Sequence, residues 1–304
     1  MKKIGIIGAN SYIARNVIYI LDRINKESSE LQYDISLYDF ADKQIDNLNN
    51  YTKINILDSD SIKIIDMNCD LLFMFVGKTG SADGFNNYNT FIDINEKALL
   101  NILTEYVRQE STAKIIFPST RLVYRGSDSP QTEDAEKDFK TIYAINKWAC
   151  ENYLKMYHNV YNVQYCIFRI CIPYGTLVKD ASSYGTAEFM LKKAKIGENI
   201  TLYGDGAVKR TLTHMEDLCN TLIQGSLNSN CVNDVYNIGG ETYSLNEMAR
   251  LIANKYNVQI DYIPYPDIAK KIESGSTVFN DKKLVNIIGN TIYHKFGNWI
   301  QSQN

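Results

Sequence analysis

Tyr143 and Lys147 stand four residues apart in "YAINK", which places them on one face of any helix formed there. A phenol titrates near pKa ~10 and is a poor base at neutral pH. An ammonium beside it stabilises the phenolate and lowers that pKa, so the pair suits moving a proton on and off a hydroxyl. Thr120, at the end of "FPST", can supply a second hydroxyl. A second centre begins at "GANSYIA" (8–14). A dinucleotide loop needs a first Gly for its tight turn, a second small residue where backbone approaches pyrophosphate, and a third for close helix packing. Gly8 fills the first place, Ser11 the second and Ala14 the third, with Asn10, Tyr12 and Ile13 completing the loop. The Ser11 hydroxyl can donate to a phosphate at a helix N-terminus. Asp39 ends the run "YDISLYD", where an acid can accept hydrogen bonds from the adenosine ribose. The plain alternative is a strand, a turn and a helix with no ligand; these residues alone leave both open.

Other motifs carry less. "VGKTGS" (76–81) hints at a phosphate loop, but Leu72 stands where its first Gly must be. Val76, Gly77 and Lys78 read instead as a turn passing close to a bound cofactor, with Lys78 also in reach of a substrate. The acidic run "TEDAEKD" (132–138) reads as a solvated loop. Six Cys lack any C-x-x-C spacing and three His are scattered, so neither a metal site nor a disulfide framework is expected, and a reducing cytoplasm is the default.

These residues need elements to position them. Strands are expected at 3–8, 33–39, 52–57, 70–77, 113–120 and 163–171, with helices at 11–24, 95–109 and 143–157. The run "DLLFMFVG" is continuously apolar, as in a strand covered on both faces. The rhythm predicts an α/β fold, a Rossmann-type doubly wound parallel sheet with ligands at the carboxyl ends of its strands. Residues 1–175 form that domain, with return segments at about 213–238; residues 176–212 and 239–304 form a smaller C-terminal substrate-binding lobe. At 304 residues and 45% hydrophobic content the chain can bury a large core. A net charge of -3 gives no basic field for nucleic acid. No apolar run reaches a membrane span, and the opening "MKKIGIIGA" is too short for a signal peptide and reads as a buried strand.

In this order the segments resemble the extended short-chain dehydrogenase/reductase family, especially its nucleotide-sugar epimerase and dehydratase branch, over roughly residues 1–240. "GANSYIA" is similar to that family's glycine loop. "NILDSDSI" (55–62) resembles its segment under the adenine, which implies Asn55 and Ile56 as cofactor contacts. "INEKALLNIL" resembles the helix whose opening Asn shapes the active site, here Asn95. "FPSTRLVY" maps Thr120 onto the catalytic Ser/Thr, "YAINK" supplies Tyr143 and Lys147, and "LYGDGAVKRTLTHMEDL" brings Arg210 to the substrate diphosphate. The resemblance implies NAD, a nucleotide-diphosphate sugar, a homodimer built on the helices at 95–109 and 143–157, and C4 epimerisation through a transient ketone. Thr120, Tyr143 and Lys147 would carry it, Lys147 also holding the nicotinamide ribose and lowering the Tyr143 pKa. Alternatives are a 4-keto-6-deoxy-sugar reductase and a silent dinucleotide sensor. Arg121 and Leu122 stand where the family's dehydratases carry Asp–Glu, which disfavours dehydration, and Ile172 replaces an Asn that helps bind the diphosphate. Asp39 favours NAD, because a carboxylate repels a 2′-phosphate. Arg15 reads as a surface residue, contact with the phosphate of NADP being the alternative.

Overall fold

Alternation in the first strand decides which layers cover the sheet. β1 (Lys2–Ile7) turns Ile4 and Ile6 into one core and Ile7 into the other, the period-two pattern of a strand buried on both faces. The computed structural model describes residues 1–181 and 185–303. β2 (Tyr33–Asp39), β3 (Tyr51–Lys53), β4 (Leu71–Met74) and β5 (Lys114–Thr120) follow β1. After them come β6 (Ser127–Gln131), β7 (Gln164–Ile170), β8 (Ile172–Tyr174), β9 (Ile200–Tyr203), β10 (Lys209–His214) and β11 (Asp234–Asn237). β12 (Glu241–Ser244), β13 (Ile260–Ile263) and β14 (Thr277–Phe279) complete the strands.

The large sheet has the order β11-β7-β5-β4-β1-β2-β3, and every pairing in it is parallel. Strand order reverses between β1 and β4, the place where such sheets open a crevice for ligands. One face is covered by α1 (Tyr12–Glu27); the connection from β4 to β5 holds α2 (Asp83–Asn86), α3 (Tyr88–Ile92) and α4 (Ala98–Arg108). α5 (Ile142–Tyr161) packs with α4 on the opposite face, α6 (Thr186–Lys195) lies in the smaller lobe, and α7 (Met215–Leu227) joins α1. β10 pairs with β8, β12 and β14 in a second sheet whose other edge is β6.

Several boundaries differ from the pattern reading. The strand expected at 52–57 shortens to β3, because Asn55 turns the chain, its side chain accepting the Leu57 amide and its carbonyl the Asp58 amide. The helix expected at 11–24 runs three residues further, α1 ending at Glu27. The return to the main sheet occurs as β11, whereas β10 belongs to the small sheet, which also takes β6 from within the first segment. All six cysteines are free thiols, five of them buried. Among the described residues no helix is long and apolar enough to cross a membrane.

Candidate active site

The glycine loop is built around a contact no side chain could share. Gly8 has φ +83°, and a Cβ there would lie 2.8 Å from the Phe75 carbonyl carbon and 2.8 Å from the Val76 nitrogen, both backbone atoms of the chain leaving β4. Ser11 has the extended backbone of an N-cap, yet its hydroxyl caps nothing and is a buried oxygen without a hydrogen-bond partner. Such an orphan costs free energy unless a ligand satisfies it. α1 also has no acidic residue in its first turn, so its positive end is not neutralised. Ala14 is fully buried against the sheet, as the third position of the loop requires. These features fit a dinucleotide pyrophosphate.

Its neighbours hold the loop from behind. Asp39 accepts the Asn10 amide at 2.9 Å and the Ala41 amide at 3.2 Å. The Asn10 side chain braces the segment after β2, donating to the Lys43 carbonyl and accepting from the Ile45 amide. The Tyr12 hydroxyl donates to the Gly175 carbonyl, and Ile13 packs on the core. Arg15 is not a surface residue. It is 5% exposed, pairs with Asp46 through Nε at 2.9 Å and Nη2 at 2.6 Å, and donates to the Lys179 carbonyl. Its charge is therefore neutralised inside the protein and is not left for a 2′-phosphate. Asn55 is exposed beyond β3, and the Ile56 carbonyl is fixed by the Asn101 amide group at 2.9 Å.

Val76, Gly77 and Lys78 leave β4 on the other side of the crevice. Asn95 clamps this turn: its Oδ1 accepts the Lys78 amide at 2.8 Å and its Nδ2 donates to the Lys78 carbonyl at 3.1 Å. Asn95 sits in a π-helical turn, Asp93–Lys97, spliced between α3 and α4. Such turns are rare and concentrate at functional sites. The Lys78 side chain leans toward Asp83, 3.4 Å away, and over the Phe91 ring.

Thr141 starts α5 by accepting the Ala144 amide at 3.1 Å, which puts Tyr143 in the first helical turn and Lys147 one turn on. The Lys147 ammonium is buried, donates to the Pro118 carbonyl at 2.9 Å and lies 4.3 Å from the centre of the Phe117 ring. Burial pushes its pKa down to about 8. A Cβ on Gly77 would lie 3.7 Å from this ammonium, so the helix reaches the turn after β4. Thr120 closes β5, its hydroxyl accepting the Leu122 amide at 3.3 Å. Burial raises the Tyr143 phenol, and a hydrogen bond with Thr120 pulls it back. The sequence reading assigned that lowering to Lys147; here the ammonium is engaged with Pro118 and Phe117, and Thr120 performs it.

Behind the site lies a network the sequence reading missed. Arg169 and Glu151 form a wholly buried bidentate pair, at 3.0 and 2.6 Å, and Glu151 also accepts from Ser119 at 2.5 Å. Arg169 donates onward to the Tyr124 hydroxyl and the Glu133 carbonyl. Glu133, in the run read as solvated, is buried and accepts the Asn237 amide at 2.8 Å, with burial raising its pKa. Arg210 is 2% exposed, its guanidinium bound to Glu273 at 2.7 Å and to the carbonyls of Lys209 and Gly275. Beside it lies Arg121, directly after Thr120, whose hydrogen-bond partners among the described residues are the Ser274 and Thr277 hydroxyls at 3.5 Å each. An Arg at the end of an otherwise apolar strand was the available signal.

Two of the three scattered His also meet. His294 Nδ1 lies 2.7 Å from Asp217, and its ring centre 4.4 Å from that of His214. Ligand atoms of His214, Asp217 and His294 lie within 4.8 Å of one another. His214 Nδ1, however, accepts the Glu216 amide at 3.3 Å, which leaves the proton of the neutral ring on Nε2 and no lone pair there for a metal.

The family model described as NAD dependent epimerase/dehydratase family matches residues 4–239. The putative UDP-glucose 4-epimerase of Methanocaldococcus jannaschii is 26% identical over 54% of the chain, and the match spans only about half of that relative, 53%. The CDP-paratose 2-epimerase of Salmonella typhi is 24% identical over 72% of both proteins. Among solved structures, UDP-glucose 4-epimerase from Thermotoga maritima superposes with a TM-score of 0.83, covering 98% of this chain and 96% of that one at 18% identity.

Proposed function

The chain belongs to the NAD dependent epimerase/dehydratase family, and from that premise we propose that it epimerises a nucleotide-linked hexose at C4 through a transient ketone. The observation that carries the proposal is the convergence of Thr120, Tyr143 and Lys147 on the crevice where strand order reverses. Gly8 and Ser11 would hold the pyrophosphate of NAD, Asp39 the adenosine ribose, and Asn55 and Ile56 the adenine. Val76, Gly77, Lys78 and Asn95 would line the nicotinamide end, with Lys147 on its ribose. When bound, NAD would supply a hydride acceptor and then, as NADH, the donor of that hydride to the opposite face of the turned-over ketone, so the cycle is redox-neutral.

Tyr143 takes the proton of the C4 hydroxyl and later returns it, while Thr120 donates a hydrogen bond to the same oxygen. The phenol can do this only when its pKa falls, and Lys147 is the nearby cation able to lower it once its ammonium leaves the Pro118 carbonyl. Arg121 in place of an acid leaves no group after Thr120 for the proton transfers of a dehydration. The enzyme is cytoplasmic in this reading, in keeping with its free thiols. It is also homodimeric, since α5 presents Ile145, Met156 and Val160 to solvent.

The test is a panel of UDP-, dTDP-, GDP- and CDP-sugars followed for formation of the C4 epimer. Y143F should abolish turnover with cofactor still bound. Stoichiometric NAD released on denaturation supports the redox-neutral cycle, whereas net consumption of NAD(P)H by a keto sugar would make the protein a reductase.

A further inference from the structure

Resting on that reading of the site, we propose that Arg121 binds a carboxylate carried by the sugar of the substrate, so that the enzyme acts on nucleotide-linked acidic sugars rather than neutral hexoses. The premise is an imbalance of charge. The three buried guanidiniums each have a carboxylate partner: Arg15 with Asp46, Arg169 with Glu151 and Arg210 with Glu273. Arg121 is in no ion pair among the described residues; its partners are two neutral hydroxyls at long range, 3.5 Å each. Its nearest cationic neighbour is Arg210, so two guanidiniums share the single carboxylate of Glu273. Burial, then repulsion from Arg210, push the Arg121 pKa down to about 10, whereas the partnered Arg169 is raised. Arg121 is only partly exposed, and a cation beside another cation with no carboxylate of its own is stabilised when an anion arrives.

Position selects which anion. Arg121 is covalently next to Thr120, whose hydroxyl meets the Tyr143 phenol. A sugar reacting at C4 therefore presents to Arg121 the substituents nearest C4, which are those on C5 and C3. The diphosphate is attached at C1, across the ring from C4. A carboxylate at C6 of a uronate, or an acidic ether on C3, has the right place and accepts the two parallel N–H bonds a guanidinium offers.

Matched pairs test the assignment: UDP-glucuronate against UDP-glucose, and GDP-mannuronate against GDP-mannose, with wild-type protein, R121Q and R121K. At least one acidic partner is expected to give kcat/KM about 100-fold above its neutral counterpart, through KM. R121Q should lose that preference, its kcat/KM for the acidic and the neutral partner converging, and R121K should retain part of it. R121Q should also raise the melting temperature of the sugar-free protein, since it removes an uncompensated cation; a lower one would mark Arg121 as a strap between the lobes and overturn the proposal. So would preference for the neutral sugars, or an equal loss on both members of a pair. Acidic-sugar binding that depends on Arg121, seen by thermal shift without turnover, would keep this assignment and overturn the epimerase reading instead.

Discussion

Asn95 grips Lys78 by its backbone, accepting the amide at 2.8 Å and returning a bond to the carbonyl at 3.1 Å. The clamp copies one rung of a β-ladder and fixes a turn that belongs to no strand. It also sets Gly77, whose Cβ position would fall 3.3 Å from Asn95 Oδ1. N95L keeps the branching at Cγ and removes both bonds, leaving the Lys78 amide unpaired. It should cost about 1–3 kcal/mol in urea unfolding and weaken NAD binding by at least about tenfold. NAD affinity equal to wild type in a fluorescence titration would show that this turn does not touch the cofactor.

The orphaned Ser11 hydroxyl makes a graded prediction. S11G should retain NAD binding, because a glycine amide can still approach pyrophosphate. S11L should weaken it about tenfold or more by filling the approach, and G8A should be worse still, adding strain at φ +83° to a collision with the Phe75 and Val76 backbone. Indifference of NAD affinity to all three changes would mean that the loop does not hold the pyrophosphate.

How legible these features were in the sequence depends on whether their physics is local. The glycine loop and the start of α5 at Thr141 depend on turn and capping chemistry within a few residues, and the apolar run of β4 declares burial on both faces. Arg121 is different. It reads as a missing acid until residues 273–277 arrive from the far end of the chain with one carboxylate, Glu273, which pairs with Arg210. Glu133 reads as solvated because its neighbours are charged; Asn237 and Arg169, distant in sequence, bury it. The unpaired and the over-paired charges are both products of tertiary contact, and those were the places where pattern reading failed.

The Arg169–Glu151 pair should behave as a unit. R169M strands the Glu151 carboxylate, which has no exposed surface, with Ser119 as its remaining partner. It should destabilise the protein by about 3–5 kcal/mol. The double variant R169M/E151L removes both charges and should cost distinctly less than R169M alone. Additive losses in a double-mutant cycle of urea midpoints would show that the two side chains do not act together.

Stability should fall in mild acid because of His214. Burial, reinforced by repulsion from His294, holds its native pKa below the unfolded value of about 6.5, while Asp217 and Glu216 oppose that shift. The unfolded chain then binds more protons than the native one in the interval between the two values. The contribution of His214 is complete above about pH 6.5 and is lost as the pH falls below it. H214N keeps an acceptor for the Glu216 amide but cannot titrate. Its melting temperature should drop less than that of the wild type between pH 7.5 and 5.5; parallel slopes would place the acid sensitivity elsewhere.

The outward face of α5 makes the last prediction. Ile145 and Met156 are each 48% exposed and Val160 is 61% exposed. Ile145 and Met156 are separated by about three helical turns, so they lie on one stripe, with Val160 one turn further along it. An apolar stripe in water is unfavourable unless another surface covers it. A second copy would cover it symmetrically, each α5 lying across its equivalent. The wild-type protein should therefore elute as a dimer in size-exclusion chromatography with light scattering. I145D/M156D should run as a monomer with its far-UV spectrum and NAD binding intact, because neither side chain belongs to the core or the crevice. A wild-type monomer, or a double variant that remains dimeric, would remove α5 from the interface.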